Sequence, residues 1–383
     1  MSGMEELLDR FQAISESPRA QLNRYLAGGK KAMGCFPYYV PEELVSAAGM
    51  IPFGIWGAAG TVRAAKEYFA PFYCTIAQMG LELSLAGALK GLSGVIIPSL
   101  CDTLRPLTQN FRAANPDMPL LFLAHPQNRR LKCGIEYTKS EYRGLKARLE
   151  EISGTAVTDE RLLSAIQIHN ENRASKREFI ALAGAHPDII SAKARCAVLK
   201  SSFYMAKQEH TTLLWELNAE LRKLPACRWT GTKIVVSGII NDNPNLLALF
   251  DRYNMAIAVD DLAHESRGIR VDAKETGDPM EALALQFSAQ DYDTILYDPE
   301  INKRPGYVVN LVKASGAQGV VILMMQFCDP EEMEYPSLKK GLDEAGIPSV
   351  VIGVDQQMKD FGQAETALQA FSDMLSMRKE GTL

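Results

Sequence analysis

Apolar positions along this chain follow two rhythms. Short continuous runs, such as Val95-Ile96-Ile97 and Ile234-Val235-Val236, alternate with longer segments in which apolar residues recur every three or four positions. The runs have strand length and are apolar on both faces, as expected of parallel strands covered by helices on each side. The longer segments have the period of amphipathic helices.

Read in order, residues 3–27 suggest an amphipathic helix with a short tail, and 32–36 a strand. Pro41 opens a helix that should stop near Gly49, before an extended segment at 51–56. A helix after Cys74, a strand at 94–98, a helix near Thr103 and a strand at 118–124 follow. Between about 135 and 225 helical periodicity dominates, including 139–153, 158–182 and 204–224. Strands at 233–240, 256–259, 320–325 and 349–353 then alternate with helices at 245–253, 278–288, 304–315, 332–344 and 362–377. The predicted fold class is α/β, with two similar parallel-sheet lobes of Rossmann or flavodoxin-like type and added helical regions. The segments are 1–30 (N-terminal helical), 31–134 (first lobe, with Cys74 and Cys101), 135–230 (helical connection) and 231–383 (second lobe, with Cys328).

Composition changes this picture little. The chain is 47% hydrophobic and 23% charged, with a formal net charge of -5, an ordinary globular profile. That balance offers no whole-chain attraction for nucleic acid or membrane. The first residues lack the basic and apolar segments of a secretion signal, and no apolar run approaches about 18 residues. A cytoplasmic location is the expectation. Seven scattered cysteines, at 35, 74, 101, 133, 196, 227 and 328, argue against a disulfide framework, and no CxxC or zinc-finger spacing occurs.

Two of these cysteines stand out. The runs at 94–102 (GVIIPSLCD) and 319–329 (GVVILMMQFCD) are both apolar strands that end in Cys-Asp ahead of a helix. Open α/β sheets bind ligands beyond the carboxyl ends of their strands. The plain reading makes Asp102 and Asp329 helix caps and the thiols loop filling. The sharper reading is a shared metal or cluster site.

Cys74, at the expected mouth of a helix, is a plausible third thiol, since unpaired N–H groups and the dipole there favour thiolate or cluster sulfur. Thiolates suit zinc, copper or iron–sulfur centres. Leu100, Met324, Met325 and Phe327 could insulate such a centre or simply fill core. By spacing alone Cys35, which also ends a strand, competes with Cys74. Cys133, Cys196 and Cys227 read as structural thiols of the helical region.

Elsewhere, His125, Arg129 and Arg130 follow a strand and could meet a ligand or phosphate, though a solvated turn explains them more simply. Asp260-Asp261, with Glu265 and Arg267, could form a site network or merely a cap and surface pairs. His210 and His264 have no ligand spacing. No Walker A, HExxH or GxSxG motif is present.

Several long motifs nevertheless occur in order: 34–44 (GCFPYYVPEEL), 72–78 (FYCTIAQ), 101–106 (CDTLRP), 122–127 (FLAHPQ), 324–336 (MMQFCDPEEMEYP), 352–355 (IGVD) and 360–363 (DFGQ). With them the chain resembles the 2-hydroxyacyl-CoA dehydratase family, related to benzoyl-CoA reductase subunits. That resemblance implies a [4Fe–4S] cluster held by Cys74, Cys101 and Cys328, with no cluster role for Cys35. It implies a smaller subunit paired with a larger homologous α subunit and supplied with electrons by an ATP-hydrolysing iron–sulfur activator. The implied reaction removes water from a 2-hydroxyacyl-CoA through a ketyl radical at the thioester carbonyl. This chain's cluster would relay or store the electron. (R)-2-hydroxyglutaryl-CoA is the expected substrate and glutaconyl-CoA the product. Lactoyl-, phenyllactyl- and 2-hydroxyisocaproyl-CoA are the neighbouring substrates, and a non-catalytic electron carrier is the alternative outside enzymes. Flavin (FMN) accompanies some members, without a motif here that locates it.

Overall fold

The computed structural model describes residues 3–296 and 303–379. The chain begins with helices α1 (Gly3–Glu16) and α2 (Pro18–Ala27) rather than the single predicted helix. Pro18 disfavours helical backbone at Ser17 yet suits the first turn of a new helix, so the break falls between them.

The first lobe contains β1 (Lys31–Cys35), α3 (Glu42–Ala47), β2 (Met50–Gly54), α4 (Thr75–Leu85), β3 (Val95–Pro98), α5 (Leu104–Ala114) and β4 (Leu120–Leu123). Its four strands are parallel in the order β2-β1-β3-β4. Helices α6 (Lys132–Ser153), α7 (Asp159–Ala185), α8 (Ala192–Ser201) and α9 (Lys207–Leu221) follow.

The second lobe contains β5 (Thr232–Gly238), α10 (Pro244–Arg252), β6 (Met255–Leu262), α11 (Pro279–Ser288), α12 (Lys303–Ser315), β7 (Gly319–Met325), α13 (Asp329–Glu344), β8 (Ser349–Val354) and α14 (Gly362–Lys379). Its parallel order, β6-β5-β7-β8, repeats that of the first lobe. The two-lobed α/β reading is therefore observed.

Strand alternation explains why both faces are apolar. Met33, Cys35 and Ile96 turn to one face of the first sheet, Ala32, Val95 and Ile97 to the other. In the second sheet Val236, Val321 and Leu323 oppose Val235, Val320 and Ile322 in the same way. The connecting helices belong to both halves: α6 packs on α11, and α7 lies against β6. Gly184 of α7 allows that approach, because a Cβ there would overlap the Ala258 carbonyl oxygen.

β6 is longer than predicted and carries Asp260 and Asp261 inside the strand instead of after it. Among the described residues, no helix is long and apolar enough to cross a membrane.

Candidate cluster site at three helix N-termini

In each lobe the strand order reverses direction between the two central strands, β1/β3 and β5/β7. Such a switch point opens a crevice at the carboxyl ends of the strands. β3 ends at Pro98 and β7 at Met325, so Cys101 and Cys328 each stand three residues beyond the central strand. The Cys-Asp echo read from the chain is thus a true structural equivalence.

Cys74 arrives by another route, as the N-cap residue of α4. It packs against the core of the first lobe and against the core that reaches from the second. Beside it the Thr75 hydroxyl accepts a bond from the Gln356 backbone N–H at 3.2 Å and reaches Met325 Sδ at 3.6 Å. The Gln356 amide donates to the Trp56 carbonyl at 2.8 Å. The lobes are therefore stitched together at Cys74.

All three thiols face backbone N–H groups at helix starts. Ile76 and Ala77 serve Cys74, Thr103 and Leu104 serve Cys101, and Glu331 serves Cys328. Each start adds the positive end of a helix dipole. The thiols also feel one another: Cys101 raises the pKa of Cys74, and both raise that of Cys328. Burial is the larger cause, pushing Cys74 up to about 12, Cys328 well above the ordinary thiol value and Cys101 upward as well. Three protonated thiols must therefore lose their protons to any centre that binds them.

Cys35 belongs elsewhere. It is buried, donates to the Met33 carbonyl at 3.6 Å and feels Glu42 and Lys207 rather than the other thiols. Cys196 is buried, Cys227 is partly buried and Cys133 is exposed, which corrects the reading of Cys133 as a structural thiol.

The aspartates of the two Cys-Asp pairs are not helix caps. The cap positions of α5 and α13 fall on Thr103 and Cys328, and neither helix has a side-chain cap bond. Asp102 and Asp329 are exposed. At α13 it is Glu332 that reaches back, its Oε1 accepting the Phe327 N–H at 2.9 Å. Phe327 has a φ of 61°, a left-handed backbone that is costly for a bulky residue. Strain of this kind concentrates where surrounding structure fixes a functional group. Tyr39 and Tyr292, with φ of 62° and 60°, carry the same strain.

Behind Cys328 lies a buried ionic network that sequence reasoning placed only in part. Arg267 is fully buried and pairs with Asp261 at 3.2 Å and Glu331 at 2.8 Å. Asp261 also accepts from Arg304 at 2.9 Å, from Ser237 at 2.9 Å and from Arg270 at 2.5 Å. Burial opposes its ionisation, but the three guanidinium groups hold its carboxyl far below the usual carboxylate range. Tyr38 and Tyr39 donate to Asp293, which lies 3.8 Å from Arg267. Arg195, buried, pairs with Asp260 and Glu265. This is an interior network and not a set of surface pairs. Glu331 was missed although it stands three residues after Cys328; Arg304 and Asp293 had no sequence signal.

The His125 segment is likewise not a solvated turn. His125 stacks on Phe287 at 4.2 Å, its Nε2 lies 3.0 Å from the Tyr39 carbonyl, and burial lowers its pKa to about 4. Arg129 bonds the Gln290 carbonyl, and Arg130 pairs with Asp291.

Among the described residues, no group of three or more His, Cys, Asp or Glu side chains could hold a single metal ion. A lone zinc would need its donors about 2.0–2.3 Å from one point. A polynuclear cluster engages each thiolate at a different iron and so suits thiols set farther apart. Three soft donors from two lobes, backed by N–H groups and by buried Ile76 and Met325, fit such a cluster.

A family model described as 2-hydroxyglutaryl-CoA dehydratase, D-component, matches residues 37–375. The chain is 54% identical over 374 residues to (R)-2-hydroxyglutaryl-CoA dehydratase, subunit beta, of Acidaminococcus fermentans, covering 96% of this chain and 99% of that one. It is 42% identical to the (R)-phenyllactyl-CoA dehydratase beta subunit of Clostridium sporogenes, over 98% of this chain and 100% of the relative. It is 39% identical, at the same two coverages, to the lactoyl-CoA dehydratase subunit beta of Anaerotignum propionicum. With nearly the whole chain matched in each case, this protein belongs to the 2-hydroxyglutaryl-CoA dehydratase D-component family.

Proposed function

We propose that this chain is the β subunit of a cytoplasmic 2-hydroxyacyl-CoA dehydratase acting on (R)-2-hydroxyglutaryl-CoA. Cys74, Cys101 and Cys328 would hold its [4Fe–4S] cluster. The observation that carries the reading is the meeting of three thiols from both lobes at three helix N-termini. The 54% identity to a 2-hydroxyglutaryl-CoA dehydratase beta subunit supports the substrate and a larger α subunit as partner. The ATP-hydrolysing activator and any flavin in the complex rest on the sequence resemblance alone.

When bound, an iron–sulfur cluster supplies one-electron transfer. The chain's own residues do the rest. The N–H groups of Ile76, Ala77, Thr103, Leu104 and Glu331 offset negative charge on the thiolate sulfurs. Thr75 and Gln356 keep the lobes in register, so that Cys74 and Cys328 hold a fixed separation. Arg267 clamps Glu331 and with it the first turn of α13 beneath Cys328. Buried Ile76 and Met325 exclude water, which raises the influence of nearby charges on the site.

The test is anaerobic co-expression with the α subunit, followed by iron and acid-labile sulfide analysis and turnover of a 2-hydroxyacyl-CoA panel. About four irons on this chain are expected, lost in Cys74→Ala, Cys101→Ala and Cys328→Ala and retained in Cys35→Ala. Unchanged iron in the first three variants would refute the ligand set. The 42% and 39% relatives carry phenyllactyl- and lactoyl-CoA dehydratase names, so preferred turnover of either substrate would move the reading to that neighbouring enzyme. A full cluster with no partner-dependent dehydration of any substrate would leave an electron carrier.

A further inference from the structure

A cavity of about 120 Å³ lies between the lobes, walled by the turn after β1, by α7 and by the segment after β6. None of the three clustered thiols lines it. Its walls are partly aromatic, including Trp56, Phe203 and Phe287, and partly charged.

The charged groups can be paired off one by one. Lys207 binds Glu42 at 2.7 Å, Arg173 binds Glu43 at 2.8 Å, and Glu265 is held by Arg195. Arg173 is also bound to Asp272 at 3.2 Å. His169 is kept neutral by burial first and then by the charge of Lys207, and its Nε2 lies 2.9 Å from Ser46 Oγ. Tyr38 and Tyr39 are occupied by Asp293.

Lys176 remains. Its side chain is more than nine-tenths buried and lines the cavity, yet it forms no ion pair among the described residues. Among the described residues its ammonium has one hydrogen bond, a long one of 3.5 Å to Ser202 Oγ. An ammonium offers three donors, and the carboxylate that attracts it, Glu42, is already bound by Lys207, so this buried cation has no partner of its own to offset its cost. Burial, followed by repulsion from Lys207, lowers its pKa to about 7.

We infer that Lys176 is the centre of a buried binding site for a small organic monocarboxylate. The charge selects a single negative unit, because the other charged walls are already matched and a dianion would leave an excess of its own. The volume limits the ligand to about six non-hydrogen atoms, since a cavity of about 150 Å³ accommodates benzene. The aromatic walls suit a short hydrocarbon tail better than bare halide or phosphate, the pattern of an apolar pocket with one orienting polar group. The site goes beyond the dehydratase reading, and its test reads binding rather than turnover, so either can fail alone.

The experiment uses the full chain in carboxylate-free buffer, with chloride replaced stepwise by butyrate at fixed ionic strength. Calorimetry and thermal melting are the readouts. Butyrate should bind saturably and raise the melting temperature of the wild type. Lys176→Met should weaken binding about tenfold or more, as expected for a charge-assisted hydrogen bond, while Lys176→Arg keeps most of it. Without butyrate, Lys176→Met should melt at or above the wild type, because it removes an unpaired buried charge; a purely structural lysine would give a lower melting temperature. Equal butyrate binding in Lys176→Met, equal stabilisation by chloride or inorganic phosphate, or a destabilised ligand-free Lys176→Met would each overturn the assignment.

Discussion

Replacing Arg267 by Met tests whether the ionic network behind Cys328 is as desolvated as its geometry states. Arg267 is fully buried, and its guanidinium bonds Glu331 at 2.8 Å, Asp261 at 3.2 Å and Thr294 Oγ1 at 3.3 Å. Methionine fills much of the same volume but carries no charge. Asp261 would keep Arg304 and Arg270. Glu331 would keep the Thr294 hydroxyl at 2.9 Å and only a distant Arg304 at 3.7 Å. The variant thus strands the Glu331 carboxylate and takes away a cation 3.8 Å from Asp293, which keeps the Tyr38 and Tyr39 hydroxyls. Removing one partner of a buried pair costs about 3–5 kcal/mol. Unfolding entropy near 2.1 cal/mol/K per residue over 383 residues is about 0.8 kcal/mol/K, so the loss corresponds to roughly 5 °C. Urea unfolding and calorimetry measure it. Arg267→Met/Glu331→Gln should recover at least half the loss, because it neutralises the stranded charge. A single variant within about 1 kcal/mol of wild type, or no recovery in the pair, would refute the claim that this contact is dry and energetically coupled.

Acid should destabilise the fold through its buried histidines. Burial lowers His125 to about 4 and His210 and His264 to about 3, so the unfolded chain, titrating near 6.5, binds more protons between those limits. Their contribution is fully present above pH 6.5 and is lost as pH falls toward 4 and then 3. At pH 5 each accounts for about 2 kcal/mol, and a urea midpoint unchanged between pH 7 and 5 would contradict this. Gly184→Ala should cost about 1–3 kcal/mol by forcing α7 away from the Ala258 carbonyl, measured by the same unfolding assay; a neutral result would mean that helix and strand are not locked. Phe327→Gly should relieve a left-handed backbone but free the chain ahead of α13, and hydrogen exchange should show faster opening of the first turn of α13. Unaltered exchange there would show that the side chain at 327 does not stiffen the start of α13.

The chain by itself determined both sheets to within a few residues, because strand and helix periods are local and both faces of each strand must be apolar. It also marked Cys101 and Cys328, since a thiol soon after an apolar strand falls at a strand end whatever its neighbours do. It could not choose between Cys35 and Cys74. The family resemblance made that choice, and the tertiary structure puts Cys74 within electrostatic reach of Cys101 while Cys35 lies with Glu42 and Lys207. Helix caps were misassigned to Asp102 and Asp329 because a shift of one residue moves the cap onto Thr103 and Cys328.

The buried charges were beyond local reading altogether. Arg267 meets Glu331 across 64 positions of chain, and Arg195 meets Glu265 across 70. Periodicity records which face a residue takes, and a charged residue is read as solvent-facing by default. Only packing of distant elements decides that these charges lie inside and find partners there. It alone decides that Lys176 lies inside with no ion pair among the described residues.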